Sequence, residues 1–369
     1  MDEPTTSSNP GIRPRVALTM GDVAGVGPEV IARGWADPQL HAVARPLVIG
    51  DPNVLIKALA QIGSHARVEC VDEPEAANPS TDVIPCVTVS MPGVDLTAIA
   101  PGRVDGRAGR AAFLFLVKAI DLALAGRIGA ITTLPLNKQA LSLGGVTHPG
   151  HTEILAERSG AREHAMMLYL ETNATGDHPH GGRRGTGLGV VHATLHVSLR
   201  NAIEMLTIES IEAKIRLADQ AMRPLTSGTP PLIATAALNP HAGEEGLFGD
   251  EEIHLITPAV DRARAAGVDV TGPYPNDTLF GRALAGAFDA VVAMYHDQGH
   301  IALKTFGFHR AVNVTLGLPI VRTSVAHGTA FDIAGKGLAD PASLIAATRT
   351  AARIIAWRES HDPTIVITT

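Results

Sequence analysis

The chain has 369 residues, 45% of them hydrophobic and 18% charged, the balance of an ordinary globular protein with room for two sizeable cores. Thirty lysines and arginines against 37 acids give a formal net charge of −7. That argues against nucleic acid or an anionic membrane as the main partner, and an anionic substrate must then be met by a local basic patch. No apolar run is long and uninterrupted enough to span a bilayer, and the polar start MDEPTTSSNPGIRPR lacks the core of a signal peptide. Cys70 and Cys86 form neither a CxxC nor a framework, so a reducing cytoplasm is expected.

Residues 1–13 read as a disordered leader. RVALTM (15–20) is a short strand, and GDVAGVGPEV then opens a helix with Pro28 and Glu29 in its first turn. Residues 47–50 form another strand, and 72–106 is a Pro- and Gly-rich region of loops with minor strands. A long apolar helix over 107–125 ends at Gly126, and a strand over 128–133 follows it, the alternation of a parallel α/β protein. After PLNKQALSLGGVTHPGHT a helix runs on from Glu153. ETNATGDHPHGGRRGT (171–186) lacks periodicity and apolar content and reads as a surface insertion, so its His178, His180, Arg183 and Arg184 are taken as solvated. Beyond it, strands are expected at 187–192, 232–238 and 290–295, and helices at 197–206, 208–222, 252–266 and 342–357.

Residues 294–340 concentrate the chemistry. His296, Asp297, Gln298, His300 and Lys304 follow directly on an apolar run, the pattern of a buried strand delivering side chains to a cleft. Asn313 and Arg322 follow or sit within the strand-like VNVTLGLPIV, and HGTAFDIAGKG is a Gly-punctuated turn before the last helix. That turn and GDVAGVGPE both lead into helices, where backbone N–H groups suit phosphate, although neither is G-x-G-x-x-G or a P-loop. Lys304, Arg322 and the Gly150–His151–Thr152 turn add partners for a small anion. His196, His241 and His296 each stand a few residues past an apolar strand, and in a parallel sheet such ends gather at one edge. On the residues alone, both a metal site and separate structural roles stay open for them. His192, His254 and His309 read as structural or surface residues.

Taken together, GDVAGVGPE, PLNK, GHTE, HVSLR, LNPHAGEEGLFG, GPYPNDTLF, YHDQGHIALK, VNVTLGLPIVRTS and HGTAFDIAGKG resemble the 4-hydroxythreonine-4-phosphate dehydrogenase family of vitamin B6 (pyridoxine) synthesis, from about residue 15 to 351. The resemblance implies a two-domain α/β fold like that of isocitrate and isopropylmalate dehydrogenases, with the active-site cleft between the domains. The expected division is 14–133 plus 315–369 on the cofactor side and 134–314 for metal, substrate and dimerisation. Carried over by position, the metal ligands fall on His196, His241 and His296, and the substrate contacts on His151, Thr152, Lys304, Asn313 and Arg322. The catalytic candidates are Lys304, Asp277 and Asp297, and the NAD (or NADP) loop falls on His327, Gly328, Thr329, Ala330 and Asp332. Ala326 stands where the family often has Asp, and the segments 1–13 and 171–186 match nothing in the pattern.

The implied reaction is metal-dependent oxidation at C3 of 4-hydroxythreonine 4-phosphate with loss of carbon dioxide, giving 3-amino-2-oxopropyl phosphate. The metal is one divalent ion per site (Zn, Mg, Mn or Co), held in a cytoplasmic homodimer with the active site at the subunit interface and His296 crossing to His196 and His241. HDQGH, with His300, is more similar to a branch acting on D-threonate or D-erythronate 4-phosphate, which would yield dihydroxyacetone phosphate. VVHATLHVSLR is faintly similar to a more distant branch that oxidises aromatic cis-dihydrodiol dicarboxylates. A phosphate acyltransferase needs no histidine triad, and a mere binding protein needs no retained Asp277, Asp297 and Lys304.

Overall fold

The structure is a computed structural model and describes residues 13–171, 187–226, 228–307 and 310–361. The expected leader and insertion, with His178, His180, Arg183, Arg184 and His309, therefore lie outside the described residues apart from Arg13 and Glu171. The strands are β1 (Arg15–Thr19), β2 (Arg45–Gly50), β3 (Arg67–Val71), β4 (Val83–Thr88), β5 (Ala130–Thr133), β6 (Ala165–Glu171), β7 (Gly187–His192), β8 (Ile233–Ala236), β9 (Val270–Tyr274), β10 (Ala290–Ala293), β11 (Ala311–Leu316) and β12 (Val321–Val325). They join in one sheet in the order β3-β4-β2-β1-β5-β12-β11-β6-β7-β10-β8-β9. Every residue of β1, β5, β7, β8 and β10 is buried, as expected of strands covered by helices on both faces.

Pairing is parallel along each half of the sheet but antiparallel at β12–β11, β11–β6 and β6–β7. Three successive reversals leave the two parallel halves running in opposite directions. The register then lines up one row across the seam. Ile131 pairs with Arg322, Arg322 with Thr315 and Thr315 with Met166. With Met167 opposite Val191, Met166 stands beside His192, which pairs with Ala293. Side chains at paired positions share a face, so Arg322 and His192 look out of the same side of the sheet, three strands and about 14 Å apart.

The main apolar cluster draws on both halves, from Val16 to Ile355. A smaller one, around Leu168, Val190, Ala234 and Val291, takes Leu279, Phe280 and Ala283 from the helix Asn276–Leu284 and Leu303 from the helix His296–Gly307. The domain boundary expected after residue 314 falls inside β11.

Local signals account for most elements. Asp51 caps the helix Pro52–Gln61, Asp105 caps Gly106–Leu124, and Thr207 with Ser210 closes a capping box on Ile208–Met222. Three expectations need correction. The segment AMMLYLE does not continue the helix from Glu153; that helix is His151–Ser159, and β6 follows. VNVTLGLPIV is not one strand but a hairpin, β11 and β12 turning at Gly317, whose φ of 78° belongs to the region glycine favours. HDQGHIALK, expected only as side chains delivered by the preceding strand, is itself a helix, so His296, His300 and Lys304 recur every four residues on one stripe.

At the start of the first helix, Gly27–Trp35, a Cβ on Gly27 would collide with the Met20 carbonyl oxygen. Helix propensity alone would make Gly27→Ala stabilising by about 1 kcal/mol. The collision is with backbone, so the expected outcome is a net loss of roughly 1–3 kcal/mol, read as a lower urea midpoint with unchanged slope.

Candidate functional site

The cleft has a volume of about 780 Å³ and crosses the antiparallel seam. Pro135, Leu136, Lys138 and residues 150–153, 192–197 and 326–328 rim it, with Met166, Asn313, Arg322 and Ser324 on its floor. A second cavity of about 650 Å³ lies behind the β11–β12 turn, but its walls are mostly apolar and no histidine reaches it.

Arg322 anchors one side. It is 2% exposed, and its guanidinium donates to Thr315 Oγ1 at 2.8 Å and Thr133 Oγ1 at 2.6 Å, while Nε has no partner. Burial pulls its pKa down to about 9, partly offset by the charge of Glu153, which leaves it cationic at neutral pH. Among the described residues no carboxylate comes within ion-pair distance of it. A desolvated cation held only by hydroxyls is an arrangement that favours an incoming anion. Asn313 lies on the paired strand with Nδ2 on Met166 Sδ at 3.1 Å and its Oδ1 unsatisfied. His151 and Thr152 open the helix His151–Ser159 at the rim. Burial, then the charge of Arg322, holds His151 well below the usual imidazole pKa, so it is neutral.

His192 and His196 line the other side of the cleft and belong to a group of imidazoles that continues beyond the cleft lining to His296 and His300. His296 and His300 stack with ring centroids 3.8 Å apart, His300 Nδ1 lies 3.0 Å from His192 Nε2, and His196 stands 5.7 Å from His296 between centroids. Gly299 permits this, because a Cβ there would stand 2.5 Å from His192 Nε2. Asp297 Oδ1 lies 2.7 Å from His296 Nδ1, fixing that ring and leaving Nε2 as its free nitrogen. The ring spacing of His196 and His296 fits two ligands on one ion.

His241 does not join them: among the described residues no three His, Cys, Asp or Glu side chains converge as a metal-binding group. Within the chain His296 stands beside His196, and His241 lies apart from both. His241 is exposed on a turn whose residues 241–245 all have φ between 47° and 79°, a left-handed run that costs about 1–2 kcal/mol per non-glycine residue. Buried Glu252 holds its entrance, accepting from the backbone N–H groups of Leu238 and Asn239. The Ala237 carbonyl accepts from both Asn276 and Gln298, tying this turn to the helix of His296. Asp277 is exposed, and neither it nor Lys304 lines the cleft of its own chain.

His327 and Gly328 reach the cleft rim, with His327 Nε2 buried and unsatisfied, while Asp332 is exposed. The rest of that loop packs against the first glycine-rich turn: Val26 N–H donates to the Thr329 carbonyl, and a Cβ on Gly25 would press on Thr329 at 3.0 Å. Ala330 is left-handed, with φ 43°. Two cleft residues escaped the sequence reading. His192 ends β7 inside the imidazole cluster, a place that strand pairing reveals and spacing does not, and Lys214 enters from the helix Ile208–Met222.

A cationic floor facing clustered imidazoles across a mixed sheet defines an α/β protein with a cleft for a small anion. The chain belongs to the family described as pyridoxal phosphate biosynthetic protein PdxA, whose pattern matches residues 42–351. It is 45% identical over 338 residues to the 4-hydroxythreonine-4-phosphate dehydrogenase of Desulfosudis oleivorans, covering 91% of this chain and 94% of the relative. It is also 42% identical over 330 residues to the D-threonate 4-phosphate dehydrogenase of Pectobacterium atrosepticum, covering 89% and 95%. A crystal structure of 4-hydroxythreonine-4-phosphate dehydrogenase from Klebsiella pneumoniae superposes with a TM-score of 0.79 at 44% identity, covering 93% and 99%. A terephthalate 1,2-cis-dihydrodiol dehydrogenase from Burkholderia xenovorans superposes at 0.60 and 31%, covering 92% and 98%. The chain is an oxidoreductase of the dehydrogenase kind, acting on a CH–OH group.

The cluster also sets an acid response. Burial, then mutual repulsion, holds His192 at about 3 and His300 at about 4, whereas burial raises Asp22 to about 6. A histidine lowered in the folded state takes up its proton more readily once unfolded, so stability falls as pH drops below about 6.5. The raised Asp22 acts in the opposite sense, gaining stability as pH falls from 6 toward 4. With His151 lowered as well, the histidine shifts outweigh that of the single carboxyl, so urea unfolding should show a net loss between pH 7.5 and 5. His192→Phe combined with His300→Leu should flatten that slope.

Proposed function

We propose that the cleft oxidises the C3 hydroxyl of a four-carbon, 4-phosphorylated 3-hydroxy acid, with hydride passing to NAD or NADP and C1 leaving as carbon dioxide. The first substrate on this reading is 4-hydroxythreonine 4-phosphate, giving 3-amino-2-oxopropyl phosphate. The observation that carries it is Arg322, a buried cation with hydroxyl partners only, set three strands from the imidazole cluster. A phosphate held there is remote from the reacting carbon, so its binding energy orients C3 without entering the chemistry. The names of the two curated relatives support this substrate class. D-threonate or D-erythronate 4-phosphate is the second reading, favoured by His300, which packs between His192 and His296.

His196 and His296 would hold a divalent ion together with His241 of a second copy, and such an ion supplies Lewis-acid stabilisation of the alcohol's developing negative charge. Asp297 keeps the His296 ring oriented. Residues 327–330 and Asp332 are assigned to the nicotinamide cofactor. The homodimer reading rests on exposed apolar side chains beside each histidine of the triad: Leu199 near His196, Leu247 and Phe248 near His241, and Ile301 and Phe306 on the helix of His296. Asp297, Asp277 and Lys304 are the proton-carrying candidates, and Asp277 and Lys304 would serve the cleft of the partner rather than their own.

The test is a panel of 4-hydroxythreonine 4-phosphate, D-threonate 4-phosphate, D-erythronate 4-phosphate and a cis-dihydrodiol dicarboxylate, each with NAD or NADP and added Mg, Mn, Zn or Co. One phosphorylated acid is expected to dominate, and turnover of the dihydrodiol alone would overturn the reading. Arg322→Ala should raise KM roughly thirty-fold or more, the scale of a hydrogen-bonded charge, with a smaller effect on kcat. His241→Ala should lower metal affinity and turnover together. A sedimenting monomer with full activity would remove the shared site.

A further inference from the structure

Lys214 is a second cation on the cleft, half-buried, and no motif singled it out. It belongs to the helix Ile208–Met222, whose Ile211, Ile215 and Ala218 are fixed in the main core. From there its side chain lines the same cavity as Arg322. Its ammonium donates to the His164 carbonyl at 2.9 Å, and among the described residues no carboxylate stands within ion-pair distance. Burial lowers its pKa, with the charge of Glu163 pushing weakly the other way. An ammonium has three N–H donors, and one neutral carbonyl is poor compensation for its lost water.

Its location along the sheet is informative. His164 lies two residues before Met166, the residue standing between Thr315 and His192 in the row across the seam. Lys214 therefore sits at the amino end of β6. That is the edge toward which the antiparallel β7 and its parallel neighbour β10 run, and at which His196 and His296 follow. Arg322 lies farther along the row, on the other side of Thr315. Besides the exposed Lys138 at its rim, the cleft thus has two cations without an ion-pair partner among the described residues, at separate places, with Lys214 on the imidazole side.

We propose that Lys214 holds the carboxylate of the substrate on the histidine side of the cleft, leaving the phosphate to Arg322. This rests on the reading of the substrate as a 4-phosphorylated 3-hydroxy acid. In such a molecule the carboxylate is two bonds from the carbon that is oxidised, so it belongs beside the imidazoles. When C1 leaves as carbon dioxide its negative charge is gone, and the product keeps only its phosphate. Lys214 then selects substrate over product, while Arg322 grips both.

The experiment uses the full-length protein, with Lys214→Met, Lys214→Arg and Arg322→Ala beside the parent. KM is measured for the best acid of the panel, and calorimetry gives Kd for dihydroxyacetone phosphate, which has a phosphate but no carboxylate. Lys214→Met should raise KM about ten-fold or more while Kd for dihydroxyacetone phosphate stays within about two-fold, and Lys214→Arg should recover most of the loss. Arg322→Ala should weaken both ligands. An unchanged KM in Lys214→Met overturns the proposal, as does equal weakening of both ligands, which would make Lys214 a strut for β6. If Lys214→Met does not fold, Lys214→Gln supplies the same comparison. Absence of turnover by the parent with every phosphorylated acid is the separate failure of the substrate reading, and the proposal falls with it.

Discussion

The constraint on which the site depends is the run of three antiparallel pairings at the centre of an otherwise parallel sheet. Parallel strands alone would bring all their carboxyl ends to one edge, and a ligand would lie along that edge. Here the halves oppose each other, so β5 and β12 deliver their loops to one edge and β7 and β10 to the other. The cleft lies across the seam, lined by Arg322 of β12, Asn313 of β11 and Met166 of β6. Its length is then set by strand spacing, with Arg322 and His192 three hydrogen-bonded steps apart.

Electrostatics follows from that placement. The protein carries a net −7, yet the described floor of the cleft presents Arg322 and Lys214 with no carboxylate paired to either. The imidazoles around them add no fixed charge, since burial keeps His151, His192 and His300 neutral at pH 7. A neutral imidazole is the form that can ligate a metal or accept a proton, while buried Arg322 and half-buried Lys214 supply attraction for anionic groups. The same burial that makes these groups useful makes the seam costly, since each desolvated cation is fully satisfied only by ligand.

Much of this was legible before any coordinates. Alternating helices and strands from Arg15 to Thr133 declare their type through caps and apolar runs, and the clustered ionisable residues after Met294 bring His296 and His300 to the imidazole group beside the cleft. What escaped had physical causes. AMMLYLE is a short apolar run that periodicity cannot tell from a helix, so β6 was missed, and with it the seam. Gly317 was read as part of a strand although its left-handed backbone reverses the chain. His192 and Lys214 acquire meaning only through register and helix packing, which bring together residues far apart in sequence. The placement of His241 apart from His196 and His296 is likewise a property of folded geometry.

The left-handed turn that carries His241 has a consequence for assembly. Four non-glycine residues, on either side of Gly243, hold a conformation each would abandon as a free peptide, and the ties on their N-terminal side are a carboxylate and a carbonyl, Glu252 and Ala237. Leu247 and Phe248, just beyond, project into solvent in the lone chain. The turn behaves as a cocked spring whose latch is only partly closed. Docking of an apolar surface on Leu247 and Phe248 would close it and set the imidazole in place at the same moment. In the proposed homodimer, association and completion of the histidine set would then be one event.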